Sequence, residues 1–165
     1  MTRINTVDVT LLLDQHLMAE YRELTMVNSS LRRSIESLRK KRYTGTKLVQ
    51  EILKKVPSNY TLNKGHVSFF YDKGTFLSNR YELLINELVK RGYNLDPNRV
   101  ASFESFEFDE SFKKDWTPSL IDIKINAERI VQRYFQKPKF YTYIKTRDFD
   151  VKKLYGEYYN FDGVE

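Results

Sequence analysis

The sequence predicts an all-α fold, a compact single domain of three principal helices with irregular connections and a C-terminal extension. Three observations support this class. Apolar residues recur at helical spacing in three long segments. Glycine and proline stand between these segments, where helices commonly end. A chain of 165 residues with 41% hydrophobic content is long enough for one core and short for two.

The first helix is predicted over about residues 10–41. Its apolar stripe contains Leu13, Leu17, Tyr21, Leu24, Leu31, Ile35 and Leu38. The basic residues 39–42 follow, where cations complement the helix dipole. A short helix is predicted over residues 46–56, ending before Pro57.

The second helical pattern lies between Gly65 and Gly92. Its apolar positions are Phe70, Leu77, Tyr81, Leu84, Ile85 and Leu88. Gly74 weakens the prediction of an unbroken helix. A short strand is an alternative for the start of this segment, because apolar residues alternate at Val67, Phe69 and Tyr71.

The third helix is predicted after an irregular connection, residues 93–116, whose four phenylalanines at 103, 106, 108 and 112 are expected in the core. Thr117 is the predicted cap, with Pro118 in the first turn. The inward stripe is Leu120, Ile123, Ala127, Ile130, Val131 and Tyr134, which leaves Asn126, Arg129 and Arg133 outward. Pro138 ends this helix. We expect a domain over residues 1–144 and a C-terminal extension over residues 145–165, whose order the sequence leaves open.

Charge and composition limit the function classes. The net charge of +6 favours a polyanionic partner. The absence of cysteine excludes disulfides and thiolate chemistry, and with two histidines in the chain no metal site and no cofactor are expected. There is no apolar run of about 20 residues and no signal-peptide pattern, so we expect a cytoplasmic protein without a membrane partner.

The chain start suggests a nucleophile. Thr2 is small, so removal of Met1 is expected, which leaves the free α-amine of Thr2. This amine has a reference pKa of about 7.7–8.0 against about 10.4 for lysine, so exposing its lone pair costs roughly 3–4 kcal/mol less. Such an amine can attack an electrophilic carbon and form a Schiff base.

Glu23 is the candidate partner of this amine. On a helix, His16, Ala19 and Glu23 share one face, with Gln15 and Arg22 beside them and the apolar stripe on another side. A solvated helix face has the same composition, so spacing alone leaves both interpretations open.

Six blocks in order carry a resemblance to a known family. They are residues 2–5, 14–24, 65–73, 90–94, 115–118 and 136–141, which read TRIN, DQHLMAEYREL, GHVSFFYDK, KRGYN, DWTP and QKPKFY. Together they resemble the phage-type pyrimidine-dimer DNA glycosylase/AP lyase, a repair enzyme for ultraviolet damage. The resemblance implies a monomer acting on double-stranded DNA that contains pyrimidine dimers or abasic sites, in a phage-infected host cell.

The resemblance also implies residue roles. Thr2 matches the nucleophile, which attacks the sugar C1′ of the 5′ pyrimidine, and Glu23 matches the catalytic glutamate. The positions that match DNA-binding residues are Arg3, Gln15, His16, Arg22, Arg129, Arg133, Phe140 and Tyr141. Each arginine is also compatible with an ordinary surface charge, and the aromatic residues with core packing.

Some segments depart from the family pattern. Met26 stands where the family usually has a phosphate-binding arginine, residues 27–62 match poorly, and residues 145–165 extend past the usual end. Three other functions therefore stay open: an AP lyase of different lesion specificity, a catalytically silent damaged-DNA-binding protein, and a metal-dependent nuclease using Asp14, Glu20 or Glu23.

Overall fold

The computed structural model describes residues 4–163, and its architecture confirms the all-α class. No β-strand occurs among these residues. The helices are α1 (Asp14–Glu23), α2 (Met26–Lys40), α3 (Gly45–Leu53), α4 (His66–Phe69), α5 (Gly74–Lys90), α6 (Leu120–Gln136) and α7 (Val151–Tyr155). Short 3₁₀ helices occupy Val9–Leu11, Glu104–Phe108 and Glu110–Phe112. In this part of the chain no helix has both the length and the apolar character needed to cross a membrane.

The core forms where the apolar stripes of the long helices meet. α1 packs on α5, and α2 packs on α3, α4 and the 3₁₀ helix Glu104–Phe108. Of the four phenylalanines expected in the core, Phe106 and Phe112 are buried, and Phe103 and Phe108 pack against the core from its edge. The terminal helix α7 also contributes, because Tyr155 is fully buried and its hydroxyl donates a hydrogen bond to the Leu11 carbonyl.

The prediction of one helix over residues 10–41 is wrong. Helix α1 begins only at Asp14, because Leu12 and Leu13 have extended backbones. Arg91 explains this start, since its guanidinium donates to the carbonyls of Thr10 and Leu12 at 3.0 and 2.7 Å. These carbonyls are satisfied by a distant side chain rather than by a helical turn. A second break separates α1 from α2 at residues 24–25.

The segment between Gly65 and Gly92 is divided into α4 and α5. The interruption that Gly74 suggested is confirmed, and the alternative strand over residues 67–71 is wrong. Gly74 begins α5 where the chain meets Phe106: a β-carbon at this position would lie 2.8 Å from the Phe106 ring. Only glycine allows this close approach.

Helix α6 begins later than predicted. Ser119, rather than Thr117, is its cap: the Ser119 hydroxyl accepts from the Asp122 amide, and the Asp122 carboxylate accepts from the Ser119 amide at 2.8 Å. This reciprocal pair satisfies two backbone donors at the helix start. The prediction that Asn126 faces outward is also wrong, because Asn126 is only 1% exposed.

Asp14 joins three parts of the chain at the start of α1. Its buried carboxylate accepts from the Arg91 guanidinium at 2.9 Å, from the Thr142 hydroxyl at 2.7 Å and from the Lys145 amide at 2.7 Å. Ile144 and Lys145 have φ angles of 49° and 62°, and both amides donate to this carboxylate. Burial alone would raise the pKa of Asp14, but these hydrogen bonds and the Arg91 charge outweigh it and hold the pKa below its ordinary value.

Replacing Asp14 with asparagine should therefore destabilise the fold in a pH-dependent way. At pH 7 we expect a loss of about 2–3 kcal/mol in the free energy of unfolding, because a charged acceptor is removed from buried donors. A lowered native pKa means that the stabilisation is present above the unfolded pKa and is lost as pH falls through the native value. Urea unfolding of both proteins checks this: the difference in free energy should narrow only below about pH 4. A difference that is constant with pH would contradict the assignment.

Candidate active site

A cavity of about 390 Å³ opens between α1, α6 and the segment that follows α6. Its volume is within the usual range for small-ligand sites. It brings together seven of the predicted site residues: Gln15, His16, Glu23, Arg129, Arg133, Phe140 and Tyr141. Arg22 lines an adjoining hollow of about 330 Å³, which shares Gln15, Ala19 and Phe140 with the cavity. Thr2 and Arg3 lie outside the described residues.

Helix α1 supplies one wall of the cavity. His16, Ala19, Glu20 and Glu23 project from it at helical spacing, and the small Ala19 side chain leaves open space between its neighbours. Glu23 stands at the last turn and is half-buried. Among residues 4–163 no cationic side chain forms an ion pair with it. Its carboxylate therefore faces the cavity without an ion-pair partner in the described part of the chain.

Helix α6 supplies the opposite wall with the same spacing. Asn126, Arg129, Ile130 and Arg133 face the cavity, with Arg129 half-buried and Arg133 exposed. Burial, and secondarily the charge of Arg133, lowers the pKa of the Arg129 guanidinium. An arginine starts from so high a pKa that the Arg129 guanidinium remains cationic near neutrality. The wall thus presents two positive charges toward the cavity.

The two aromatic residues of the cavity have different environments. Tyr141 is buried and stacked on His16, with ring centroids 4.9 Å apart and an interplanar angle of 14°. Phe140 is 58% exposed and meets Tyr141 edge-on. Phe140 therefore has an open ring face for a ligand, whereas Tyr141 braces His16.

Gln15 attaches this aromatic segment to α1. Its side-chain carbonyl accepts from the Thr142 amide at 2.9 Å, and its amide group donates to the Thr142 hydroxyl at 3.1 Å. Because both ends of the Gln15 amide are engaged, its observed role is to hold Phe140 and Tyr141 beside the cavity.

Residues 4–7 are held in the interior by side chains from other helices. Residues 4–7 are all buried. Asn126 accepts from the amides of Thr6 and Val7 at 2.8 and 3.1 Å, and its amide group donates to the Asn5 side chain at 2.8 Å. These bonds satisfy backbone groups that have no helix or sheet partner.

Glu20 is the second anchor of this segment. Its carboxylate accepts from the Asn5 side chain at 2.7 Å and from the Asn5 backbone amide at 3.2 Å. Arg80 of α5 donates to the same carboxylate at 2.8 and 3.1 Å and to the Val7 carbonyl at 2.9 Å. The two carboxylates in the cavity thus differ: Glu20 is tied into the fold, and Glu23 is open.

Six residues that line the cavity were not among the predicted site residues: Asn5, Ala19, Glu20, Leu62, Asn126 and Ile130. A signal for Glu20 and Asn126 was present. Glu20 lies three residues after Leu17, and Asn126 three residues after Ile123, so both polar residues fall on the inward stripes of their helices. A polar residue on an apolar stripe indicates a buried hydrogen-bonded group.

Two of the three acidic residues named for a metal-dependent alternative have other partners. Asp14 is paired with Arg91 and Glu20 with Arg80, each at 2.8–2.9 Å. In the described part of the chain, no group of three histidine, cysteine or acidic side chains is placed to hold a metal ion.

Comparison with known families identifies the family of this chain. The family model of the pyrimidine dimer DNA glycosylases matches residues 1–100. The matched span includes α1 with Glu23, the buried segment 4–7 and the Arg80 anchor, while α6 and Phe140 lie beyond it. The family's function, as its name states, is glycosylase action on pyrimidine dimers in damaged DNA. With more than half of its length matched, this chain belongs to the pyrimidine dimer DNA glycosylase family.

Proposed function

We propose that this glycosylase is bifunctional: the α-amine of Thr2 displaces the damaged pyrimidine from the sugar, and the covalent product then undergoes strand cleavage as in an AP lyase. The observation that carries the proposal is the anchored segment 4–7. Asn5 lines the same cavity as Glu23, and Thr2 is three residues before Asn5. Three residues of chain span at most about 11 Å. An amine at Thr2 is therefore within reach of a sugar held beside Glu23.

In the first step the amine forms a bond to C1′ of the 5′ pyrimidine nucleotide. The bond from C1′ to the base nitrogen breaks, and its electron pair leaves with the base, which takes up a proton. Loss of the amine proton and opening of the sugar ring give an imine. The negative charge of Glu23 stabilises the positive charge that develops at the sugar.

In the second step the imine acidifies the C2′ proton. Glu23 assists its removal, and the electron pair expels the 3′ phosphate, which nicks the strand. Water then hydrolyses the imine and returns the free amine. Every bond made to the protein is thus broken again at the end of the cycle.

The remaining site residues hold the DNA. Arg129 and Arg133 on one wall, with Arg22 on the adjoining hollow and Arg3 near the chain start, suit phosphate oxygens because a guanidinium can donate two parallel hydrogen bonds. The exposed face of Phe140 suits stacking on a base near the lesion. Tyr141 and Gln15 support that ring, and His16 stacks on Tyr141. Met26 supplies no charge where the family usually has an arginine. Phosphate binding therefore depends more on the four arginines named above.

The test is covalent capture by borohydride. Protein with an authentic Thr2 terminus, verified by mass spectrometry, is incubated in chelator with an irradiated duplex and with an abasic duplex and then reduced. The matched control carries one additional residue before Thr2. We expect capture on both duplexes, and none with the extended terminus.

Other outcomes separate the alternatives. Equal capture by the extended protein would overturn Thr2 as nucleophile. Capture on the abasic duplex alone would indicate an AP lyase of different lesion specificity. Tight binding without capture or nicking would indicate a silent damaged-DNA-binding protein.

A further inference from the structure

The backbone of Ile4, two residues after Thr2, is held at both of its polar groups by side chains far along the chain. Its amide donates to Nε2 of His66 at 2.8 Å, and its carbonyl accepts from the Tyr60 hydroxyl at 2.9 Å. Ile4 itself is fully buried, and both partners are nearly so. Ile4 is the first residue that the structure describes. Its backbone position is fixed by residues 60 and 66.

The hydrogen bonds of His66 define its protonation state. Nδ1 lies 2.6 Å from the Thr61 carbonyl, which can only accept, so Nδ1 carries the proton. Nε2 is then an acceptor, as the Ile4 amide requires. His66 therefore acts as a neutral imidazole with its proton on Nδ1.

Aromatic packing fixes the ring of His66. Tyr60 and Phe70 both meet it edge-on, at centroid distances of 5.6 and 5.5 Å. Burial, and secondarily the charge of Glu20, raises the pKa of Tyr60, so its hydroxyl stays protonated and remains a donor. The two groups that hold Ile4 are both fixed in position and in hydrogen-bonding role.

This pair lies outside the catalytic cavity. Among the described residues from 60 to 66, Leu62 alone lines the cavity. The rings of Tyr60 and His66 contact the backbone of the chain start instead. Tyr60 also lines a neighbouring hollow with Leu62 and Arg129, and the contacts with Ile4 are the route by which we expect the pair to act on the chemistry.

We propose that Tyr60 and His66 are positioning residues: together they form a clamp on Ile4 that sets where the α-amine meets the sugar. The inference rests on the proposed role of Thr2 as nucleophile. Thr2 lies two positions before Ile4 in the chain, so a small backbone rotation at Ile4 moves the Thr2 amine by ångströms. A misplacement of about 1 Å can cost about a hundredfold in rate.

The test compares four variants by the single-turnover rate of borohydride capture on an abasic duplex at saturating protein. His66→Phe keeps the ring and loses the acceptor, and His66→Gln restores an acceptor near the position of Nε2. Tyr60→Phe removes the donor to the Ile4 carbonyl. Tyr155→Phe is the matched control, because it also removes a buried hydroxyl that donates to a backbone carbonyl, that of Leu11.

We expect His66→Phe to slow capture about ten- to hundredfold while binding to a non-reactive abasic analogue is unchanged. His66→Gln should recover most of the rate, Tyr60→Phe should lose part of it, and Tyr155→Phe should match the unmodified protein. A purely structural role would lower thermal stability without this recovery by an acceptor.

Three results would overturn the clamp: an unchanged capture rate in folded His66→Phe, a His66→Gln protein as slow as His66→Phe, or equal rates for Tyr60→Phe and Tyr155→Phe. The last comparison decides the question if the His66 variants do not fold. Failure of the proposed function is recognised separately. In that case the protein with one additional residue before Thr2 would still be captured.

Discussion

Replacing Glu23 with glutamine should lower the single-turnover rate of capture and nicking by about 10²–10⁴-fold. Glutamine has the size of glutamate but lacks the negative charge that, in the proposed mechanism, stabilises the developing cation and accepts the C2′ proton. Binding to irradiated duplex should persist, because the residues proposed to hold phosphate are unchanged. Gel-resolved capture and nicking measure the rate, and fluorescence anisotropy in chelator measures binding.

The fold should tolerate this substitution. Glu23 is half-buried and forms no ion pair within residues 4–163. The urea unfolding midpoint of the Glu23→Gln protein should therefore equal that of the unmodified protein. Glu36→Gln on α2 is a matched control, since it removes one carboxylate from an exposed pair with Arg32 at 4.0 Å. Capture by Glu23→Gln at the rate of this control would remove Glu23 from the mechanism.

Glu20→Gln, unlike Glu23→Gln, should affect stability: we expect it to lower the free energy of unfolding by about 3–5 kcal/mol. Glu20 is 1% exposed, and Arg80 is 6% exposed. The substitution leaves the Arg80 guanidinium buried without its counter-ion and places an amide group among the donors of Arg80 and Asn5. Urea unfolding at pH 7 measures the loss, with Glu36→Gln expected to change by less than about 1 kcal/mol.

The two substitutions together separate chemistry from architecture within one cavity. Glu23→Gln should have a lower capture rate and an unchanged urea unfolding midpoint. Glu20→Gln should have a lower unfolding midpoint. An unchanged midpoint for Glu20→Gln would mean that Arg80 and the Asn5 donors find water or other acceptors, and that this ion pair does not hold the chain start.

Helix periodicity predicted the fold class because burial of an apolar stripe is a local property of the sequence. It failed at helix boundaries where distant groups compete for the backbone. The carbonyls of Thr10 and Leu12 accept from Arg91, about 80 positions away in the chain. A local pattern does not contain that partner, so residues 10–13 were assigned to a helix that begins at Asp14.

The cavity was partly predictable for the same reason. Glu23, His16, Arg129 and Arg133 follow the spacing of one face of their helices, and the family resemblance selected them from other surface residues. Asn126 was placed outward because polar residues usually are. Its partners, the amides of residues 6 and 7, lie 120 and 119 positions away.

The sequence by itself determined that this chain is helical. Its resemblance to the pyrimidine-dimer glycosylases selected Thr2 and Glu23 as candidates, and its excess of cations favours a polyanionic partner. Only the tertiary structure decided how residues 4–7 are held, because five side chains from elsewhere in the chain satisfy their polar groups: Glu20, Tyr60, His66, Arg80 and Asn126. Residues 4–7 form no helix or strand, so their position depends on long-range hydrogen bonds, whose partners come together only when the core is packed.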